Sequence, residues 1–566
     1  MSKFVEQATA MLVTQAAVIA SFPIVTIAAT FNLIDATISD INAVFDAGAL
    51  NSQELTQLYL NRIYAYDDRG TNLNSLIAVN PDALLTAAAL DLERQTTGSR
   101  SPLHGIPVIV KDNYNTFDLP TTVGALALEG FIPESDAYQV GQLRDAGAII
   151  LGKANLSEFA FSFSTESSLG GVTLNPYALN RTPGGSSGGT GAAIASSFGA
   201  IGLGTDTGGS IRIPSSFDSL VGIRPTIGLS SRDGIIPLAL SQDVGGPMTR
   251  TVSDAAVTLD YTVGFDPEDP VTEKSIGNAP DSYTDYLDLN GLEGARIGVV
   301  RDLFGSDLDP EAAEVNAIAN EAIAAMESLG VEIVEDVTIA NLAQILAYPS
   351  LSSFEFKSDL NDYLADQPNA PVQSLDEIIA SGGFLPSNEA TLIVRNSRGA
   401  LENDPQYLDI VQNRPTLTQE ALLAALEEND LDALFFPTST EPAALFGEPI
   451  VTGSANRLSP FSGFPEITVP AGYTSEGLPV GISFLGEAFS EAELITLAYS
   501  YEQATLNRIA PKTTPALPGE MFDYEPIPEP SSTIGFALFG LTALGLKLKR
   551  RKVSKTFAVL GFKKST

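Results

Sequence analysis

"RTPGGSSGGTG", residues 181–191, sets Ser186 and Ser187 among five glycines. Such a stretch is typical of a phosphate-binding loop, a flexible linker or a loop that presents a reactive hydroxyl. A P-loop ends in Gly-Lys-Ser/Thr, and no lysine lies anywhere in residues 181–212. The dinucleotide motif G-x-G-x-x-G fails as well, because Ile194 stands where its third glycine is needed. Phosphate binding is therefore poorly supported.

The segment that follows the loop argues against a linker. "AAIASSFGAIGLGTDTGGSIRIPSSF", residues 192–217, has the composition of a buried helix and a strand, then a second glycine turn around Ser210. Upstream, "HGIPVIVKD", residues 104–112, predicts a turn and a short apolar strand that ends at Lys111. A lysine can deprotonate a serine when burial lowers its pKa from about 10.4 to near 7. The alternative is that Lys111 is a surface residue that only ends the strand.

Composition excludes several classes of protein. The 566 residues are 44% hydrophobic and 18% charged, which predicts a globular chain with a sizeable core. Cysteine is absent, so disulfides, zinc fingers, iron–sulfur clusters and a cysteine nucleophile are excluded. His104 is the only histidine, and its place just before Lys111 on the same turn and strand disfavours a Ser-His-Asp triad. The net charge of −38 argues against nucleic acid as a partner.

The body of the chain alternates helix and strand patterns. Asn51 can cap a helix with Glu54 three residues on. "ARIGVV" at 295–300, a helical pattern over 310–329 and "VEIVEDV" at 331–337 predict one β-α-β unit. We therefore expect an α/β fold, a single large domain over 33–515 with a mixed central β-sheet covered by helices on both faces.

Both ends of the chain have the composition of targeting segments. The uncharged run over 11–30 predicts a signal peptide at 1–30, with a helix packed on the body as the alternative. At the other end we expect a Pro-rich spacer at 516–530, an apolar transmembrane or sorting helix at 531–548 and a basic cytoplasmic tail at 549–566.

The tail resembles the PEP-CTERM sorting signal of bacterial surface proteins. Pro528, Glu529 and Pro530 match its tripeptide, an apolar stretch follows, and Arg550 and Arg551 match its basic end. The resemblance implies export, a membrane-anchored or cell-surface location, and an exosortase as processing partner. The chain departs from the usual signal in continuing for residues 552–566 beyond the arginines.

The body resembles the amidase signature family. "GIPVIVKDN" at 105–113, "GGSSGG" at 184–189 and "GLGTDTGGSIRIPSSF" at 202–217 occur in the family's order and spacing, with similarity over nearly the whole body. The resemblance implies the amidase fold and hydrolysis of linear amides without cofactor or metal. The substrate would be a small-molecule or peptidyl amide, held by a pocket that residues 266–460 shape.

The family's catalytic roles transfer onto the matching positions. Ser210 becomes the nucleophile, Ser186 the bridging serine after a cis peptide from Gly185, and Lys111 the base. The resemblance also assigns an oxyanion hole and supporting residues. The backbone N–H groups of Thr207, Gly208, Gly209 and Ser210 would form the oxyanion hole, Ser187 would hydrogen-bond within its loop, and Asp206 and Arg212 would orient the turn or form a structural ion pair.

Two other functions stay open at this point. One is a surface-binding protein on a catalytically inactive amidase scaffold, and the other is a subunit of a glutamine-dependent amidotransferase. The sequence also leaves a homodimer open as the assembly.

Overall fold

Uncharged apolar runs such as "PVIV" and "IILG" form buried strands. The computed structural model describes residues 28–527. The strands are β1 (Ala29–Asn32), β2 (Leu76–Val79), β3 (Pro107–Lys111), β4 (Ile149–Ala154), β5 (Glu166–Ser167), β6 (Gly171–Val172), β7 (Ile201–Asp206), β8 (Val221–Arg224), β9 (Val244–Thr249), β10 (Arg296–Val299), β11 (Glu332–Val334), β12 (Ala433–Pro437), β13 (Glu466–Tyr473), β14 (Pro479–Leu485) and β15 (Met521–Tyr524).

Helices of 5 to 25 residues separate many of these strands. They are α1 (Ile38–Asp46), α2 (Ser52–Arg62), α3 (Ala83–Thr97), α4 (Tyr138–Asp145), α5 (Gly188–Ala195), α6 (Arg212–Phe217), α7 (Val252–Thr262), α8 (Pro310–Ser328), α9 (Leu342–Ala347), α10 (Ser352–Ala365), α11 (Leu375–Ser381), α12 (Glu389–Asn396), α13 (Pro405–Asn429), α14 (Leu458–Ser462) and α15 (Glu491–Thr505).

The central sheet is mixed, as the sequence predicts. Its 11 strands run in the order β11-β10-β12-β14-β13-β8-β9-β7-β3-β4-β2. Strand β3 pairs in parallel with both β4 and β7, and β10 does so with β11 and β12. The strands between these two parallel groups pair antiparallel.

Helices cover both faces of this sheet, and β12 shows why. Its alternating side chains enter two different hydrophobic clusters, because successive residues of a strand point to opposite faces. Ala433 and Phe435 join the cluster that contains side chains of α7, α8 and α15. Leu434 and Phe436 join the cluster with side chains of α9, α13 and α14. The predicted fold class is thereby confirmed.

Local predictions within the body are confirmed too. Asn51 and Glu54 form the capping box of α2, with Asn51 Oδ1 accepting the N–H of Glu54 at 2.9 Å. The β-α-β unit forms from β10, α8 and β11, and the helix ends at Ser328, one residue before the predicted end. Asp309 caps α8 by accepting the N–H groups of Glu311 and Ala312.

The body extends beyond Pro515, into the segment predicted as a spacer. Strand β15 lies within that segment and forms a two-stranded sheet with β1. Glu520 explains this extension, since it pairs with the buried Arg62 of α2 at 2.7 Å and accepts the N–H of Leu33 at 2.9 Å.

The described chain divides into a large and a small unit. The large unit, Phe31–Phe45 with Leu50–Phe522, contains the central sheet. The described part of the small unit is residues 28–30, 46–49 and 523–527, where Thr30 Oγ1 donates to Asp523 Oδ1 at 2.7 Å.

Most of the predicted targeting segments lie outside the described residues. This holds for positions 1–27 of the signal peptide, the tail end of the spacer, the apolar helix at 531–548 and the basic tail at 549–566. Within residues 28–527, no helix is long and apolar enough to cross a membrane.

Candidate active site

Two neighbouring parallel strands bring the predicted site residues together. Strands β3 and β7 pair with Val110 opposite Leu203, so their carboxyl ends meet at the same edge of the sheet. Lys111 ends β3, and Thr205 and Asp206 end β7. This edge is where ligands bind in α/β sheets.

Lys111 is fully buried and contacts one of the predicted serines. Its Nζ lies 2.8 Å from Ser186 Oγ, 2.7 Å from Thr205 Oγ1 and 3.4 Å from the Thr205 carbonyl. Burial lowers the pKa of Lys111 to about 7, although the carboxylates of Asp206 and Asp243 act to raise it. A neutral amine can direct its two N–H groups to Thr205 and its lone pair to the Ser186 hydroxyl. Lys111 is therefore not a surface residue that merely ends a strand.

The first glycine loop holds Ser186 and Ser187 just before α5 begins at Gly188. The peptide bond between Gly185 and Ser186 is cis, as the family resemblance predicts. Ser187 hydrogen-bonds to the end of β7 instead of bonding within its own loop, because its Oγ donates to the Thr205 carbonyl at 3.1 Å and accepts the Thr205 N–H at 3.3 Å. The loop is thus attached to the strand that carries the second glycine turn.

Ser210 lies in that second turn, with 6% of its surface exposed at the wall of a cavity of about 390 Å³. Its carbonyl accepts the N–H of Ser187 at 3.2 Å, which fixes the turn against the first loop. Ser210 Oγ makes no hydrogen bond to any residue within 28–527. Its hydroxyl is therefore the one of the two predicted reactive serines that a ligand in the cavity can reach.

The backbone N–H groups of the turn divide into two sets. Those of Thr207, Gly208 and Ser210 have no acceptor among the described residues, and all three residues line the cavity. Gly209 differs from the expectation, because its N–H donates to Asp206 Oδ1 at 2.8 Å. Its φ of +127° favours glycine, and an added Cβ would lie 3.1 Å from Ile213 Cγ1. Gly209 therefore supports the shape of the turn, while its neighbours can donate to an oxyanion.

Asp206 both orients the turn and forms ion pairs, so the two alternatives from the sequence occur together. Its carboxylate accepts the N–H groups of Gly209 and Ile211 and pairs with Arg212 at 3.1 Å. Arg224 pairs with the same carboxylate at 3.1 Å. Burial acts to raise the pKa of Asp206, but the two guanidinium groups outweigh it and hold the pKa well below its usual range.

Gln242 and Asp243 were not among the predicted site residues, yet both hold Thr207. Gln242 Nε2 donates to the Thr207 carbonyl at 2.9 Å, and the Thr207 hydroxyl donates to Asp243 Oδ1. The Gln242 Oε1 atom accepts the N–H of Leu351 at 2.8 Å, just before α10. The only sequence signal was a polar pair directly before the uncharged strand β9.

The cavity beside Ser210 has aromatic and uncharged polar walls. Its apolar side chains include those of Phe161, Phe163, Leu238 and Phe461. Polar side chains include those of Gln242, Ser350, Ser352, Thr452 and Asn456. Arg457 is the one charged residue among the described residues of its lining. The cavity is therefore suited to a largely neutral ligand.

His104 lies away from both serines. Its Nδ1 accepts the N–H of Arg100 at 3.2 Å, which leaves Nε2 protonated to donate to the Leu90 carbonyl at 2.9 Å. Both ring nitrogens are thus occupied by backbone groups, and the Ser-His-Asp alternative is wrong.

Comparison with known proteins shows to which family the chain belongs. The Amidase family model matches residues 54–495. A probable amidase of Arabidopsis thaliana is 36% identical over 509 residues, which cover 86% of this chain and 93% of that protein. The chain belongs to the amidase family. The fold is also that of this family.

The names of similar solved structures and curated relatives indicate two kinds of activity. The native peptide amidase of Stenotrophomonas maltophilia has 39% sequence identity and a TM-score of 0.80, covering 85% of this chain and 99% of its own. A glutamyl-tRNA(Gln) amidotransferase subunit of Thermoanaerobacter pseudethanolicus is 36% identical, covering 83% of this chain and 96% of its own. The PEP-CTERM protein-sorting motif matches residues 526–552 of this amidase-family chain.

Proposed function

We propose that this amidase-family hydrolase is exported and cleaves neutral linear carboxamides through an acyl-enzyme on Ser210. The observation that carries the proposal is the 2.8 Å contact between the buried Nζ of Lys111 and Ser186 Oγ, beside the cavity that Ser210 lines. A lysine with a pKa of about 7 is partly neutral at neutral pH and can act as a base.

The reaction starts when Ser210 Oγ attacks the substrate carbonyl carbon. The Ser210 proton passes to Ser186 Oγ while the Ser186 proton passes to Lys111 Nζ, and the carbonyl electron pair moves onto oxygen. Substrate entry has to bring Ser210 Oγ onto Ser186, since catalytic hydrogen bonds often form fully only in the substrate complex. In this proposal the N–H groups of Thr207 and Gly208 stabilise the negative oxygen, and each such donor is worth roughly 3 to 4 kcal/mol in comparable enzymes.

Collapse of this intermediate breaks the C–N bond. The Lys111 ammonium returns its proton through Ser186 to the leaving nitrogen, which departs as ammonia or an amine. Water then attacks the acyl group on Ser210, giving its proton to the same relay and releasing a carboxylic acid. These reaction steps need only side chains and backbone N–H groups of this chain and one water molecule.

Peptidyl amides with apolar or aromatic side chains are our preferred substrates. The aromatic cavity wall, formed by Phe161, Phe163 and Phe461, favours such groups, and the similar solved structure is that of a peptide amidase. The amidotransferase alternative rests on relatives of comparable identity, but a net charge of −38 disfavours a transfer RNA substrate.

Export is proposed from the sorting motif at residues 526–552, with an exosortase as processing partner and the membrane or cell surface as location. Fractionation of the producing cell tests it with an antibody to the body. Recovery in the membrane or extracellular fraction supports export, whereas recovery of all the protein in the cytoplasm would contradict it.

The catalytic proposal is tested by ammonia release from neutral N-acetylated dipeptide amides, using the purified full chain. Ser210→Ala and Lys111→Ala should lower kcat about 10⁴-fold, as losses of such catalytic groups do. The control is Ser328→Ala, an exposed serine at the end of α8, which should keep wild-type activity.

Covalent labelling by a fluorophosphonate separates an enzyme from an inactive scaffold. The wild type and Ser328→Ala should be labelled, and Ser210→Ala should not. Full activity of Ser210→Ala, or no labelling of the wild type, would contradict the proposal.

A further inference from the structure

A second cavity, of about 260 Å³, shares Phe461 with the cavity beside Ser210. Most of its walls are apolar, with Ile227, Val411, Phe464 and Phe489 among them. The charged residues of its lining, within the described chain, are Arg414 and Lys274. The cavity therefore combines hydrocarbon walls with two cations and no acid.

Arg414 is buried without an acidic partner. It is 1% exposed, its Nη1 donates to the Pro349 carbonyl at 3.0 Å, and its Nε has no acceptor. Within residues 28–527 no carboxylate lies within ion-pair distance of it, although the whole chain has 69 acidic and only 31 basic residues. Burial of a guanidinium without a counter-ion is unfavourable, so an anion in this cavity would stabilise it.

Glu355 is the acid whose charge acts on Arg414, and it is already engaged elsewhere. Its carboxylate accepts the hydroxyl of Ser241 at 2.7 Å and that of Tyr407 at 3.1 Å. Burial lowers the pKa of Arg414 to about 10 despite Glu355, so the group remains a cation at neutral pH.

Two further features of the cavity fit a binding site. Lys274 is exposed and has no ion pair among the described residues, so its ammonium is free to attract an anion. Phe489 has a φ of +66°, a conformation that side-chain-bearing residues rarely adopt and that often accompanies ligand contacts.

Phe461 lines both this cavity and the one beside Ser210. It is 3% exposed, and the guanidinium carbon of Arg414 lies 4.1 Å from the centre of its ring. Arg414 lines this second cavity and not the cavity beside Ser210. We therefore take the occupant to be a small molecule separate from the amide.

We propose that this second cavity binds a small monocarboxylate, with the carboxylate on Arg414 and Lys274 and the hydrocarbon part against Phe464 and Phe489. This inference concerns binding alone and does not depend on the reaction at Ser210. A monocarboxylate matches the cavity because a guanidinium recognises a carboxylate by two parallel hydrogen bonds and most of the remaining lining is apolar.

Calorimetric titration of the purified full chain with sodium hexanoate tests this proposal, with hexan-1-ol as the neutral probe. Hexanoate should bind the wild type measurably more tightly than hexanol. Arg414→Gln should weaken hexanoate binding about tenfold or more, as loss of a buried charged hydrogen bond does. Lys274 is exposed, so Lys274→Glu should leave folding intact. This variant should weaken hexanoate binding about threefold or more.

Two control variants locate the bound carboxylate. Lys512→Glu makes the same charge change on an exposed lysine outside both cavities, and it should leave hexanoate affinity unchanged. Arg457→Gln removes the cation of the cavity beside Ser210 and should also leave it unchanged. A loss in Arg457→Gln with none in Arg414→Gln and Lys274→Glu would place the carboxylate beside Ser210 and overturn the proposal. Equal binding of hexanoate and hexanol would overturn it too.

Discussion

Gln242 donates a side-chain N–H to the main-chain carbonyl of Thr207 across 2.9 Å. The same side chain accepts the N–H of Leu351, which lies between Ser350 and Ser352 of the cavity lining. One amide group therefore links the second glycine turn to a segment that lines the cavity beside Ser210. Thr207 is held from its carbonyl by Gln242 and from its hydroxyl by Asp243.

Gln242→Leu keeps the size of the side chain and removes its three hydrogen bonds, to Thr207, Ser350 and Leu351. We expect kcat to fall about tenfold to a hundredfold, because the Thr207 N–H loses its fixed direction, with KM changed less than about threefold. Steady-state kinetics on a neutral dipeptide amide give the two constants.

Gln139→Leu is the matched control for this variant. Gln139 is another fully buried glutamine, and it donates to the Ser231 carbonyl at 2.9 Å outside the cavity. It should lose a similar amount of stability while keeping kcat. Equal loss of kcat in both variants would show that Gln242 acts only through stability.

The pKa of Lys111 predicts the pH dependence of the reaction. If the neutral amine of Lys111 is the base, as we propose, kcat/KM should rise with pH through about 7 and level off above it. A rate that falls as pH rises from 6 to 8 would contradict the assignment. The measurement is kcat/KM on a neutral amide over this range.

Removing the Lys111 amine should stabilise the fold. Its pKa is about 7 in the folded protein and near 10.5 when unfolded, which corresponds to a burial cost of about 4 kcal/mol at neutral pH. Allowing for lost hydrogen bonds, Lys111→Met should raise the free energy of unfolding by about 1 to 3 kcal/mol at pH 7. Between pH 7 and 10 the folded wild type binds fewer protons than the unfolded chain, so the free energy of unfolding of the wild type rises with pH. The stability advantage of Lys111→Met over the wild type therefore shrinks over this range.

Lys153→Met is the contrasting control. Lys153 is equally buried, but it lies 3.4 Å from the buried carboxylate of Asp112. Its removal leaves that carboxylate without its cation, so this variant should be less stable than the wild type at pH 7. Urea unfolding at pH 7, 8.5 and 10 compares all three proteins. Destabilisation of Lys111→Met at pH 7 would contradict the expected burial cost.

Asp206→Asn should destabilise the protein strongly. The substitution removes the carboxylate that faces both Arg212 and Arg224, and breaking such a buried pair costs about 3 to 5 kcal/mol. Glu335→Gln breaks the exposed pair with Arg301, which spans 2.7 Å, and should cost less than about 1 kcal/mol. Urea unfolding measures both, and similar losses would contradict the role of burial.

The three proposed catalytic residues could be singled out because each lies in a short motif. Lys111 ends an uncharged apolar run, Ser186 and Ser210 are each framed by glycines, and the resemblance of these motifs to the amidase signature family implied their roles. The mixed sheet followed from the alternating helix and strand patterns. These features depend on neighbouring residues, which periodicity and turn chemistry describe well.

The supporting contacts could not be predicted because they join distant residues. Gln242 meets Thr207 across 35 positions and Leu351 across 109, and neither contact leaves a local pattern. The family resemblance placed Gly209 among the expected oxyanion donors. Its N–H is occupied by Asp206, a detail that depends on how the turn folds back.

Arg62 binds the carboxyl-terminal segment of the described chain as far as Glu520. Its guanidinium donates to the Thr514 and Pro515 carbonyls and to Glu520, and also to the Ser196 carbonyl just after α5. That helix starts beside Ser186 and Ser187. A protease that removes the sorting motif would therefore have to cut the chain after Glu520. A cut before Glu520 would remove the carboxylate that pairs with the buried guanidinium of Arg62.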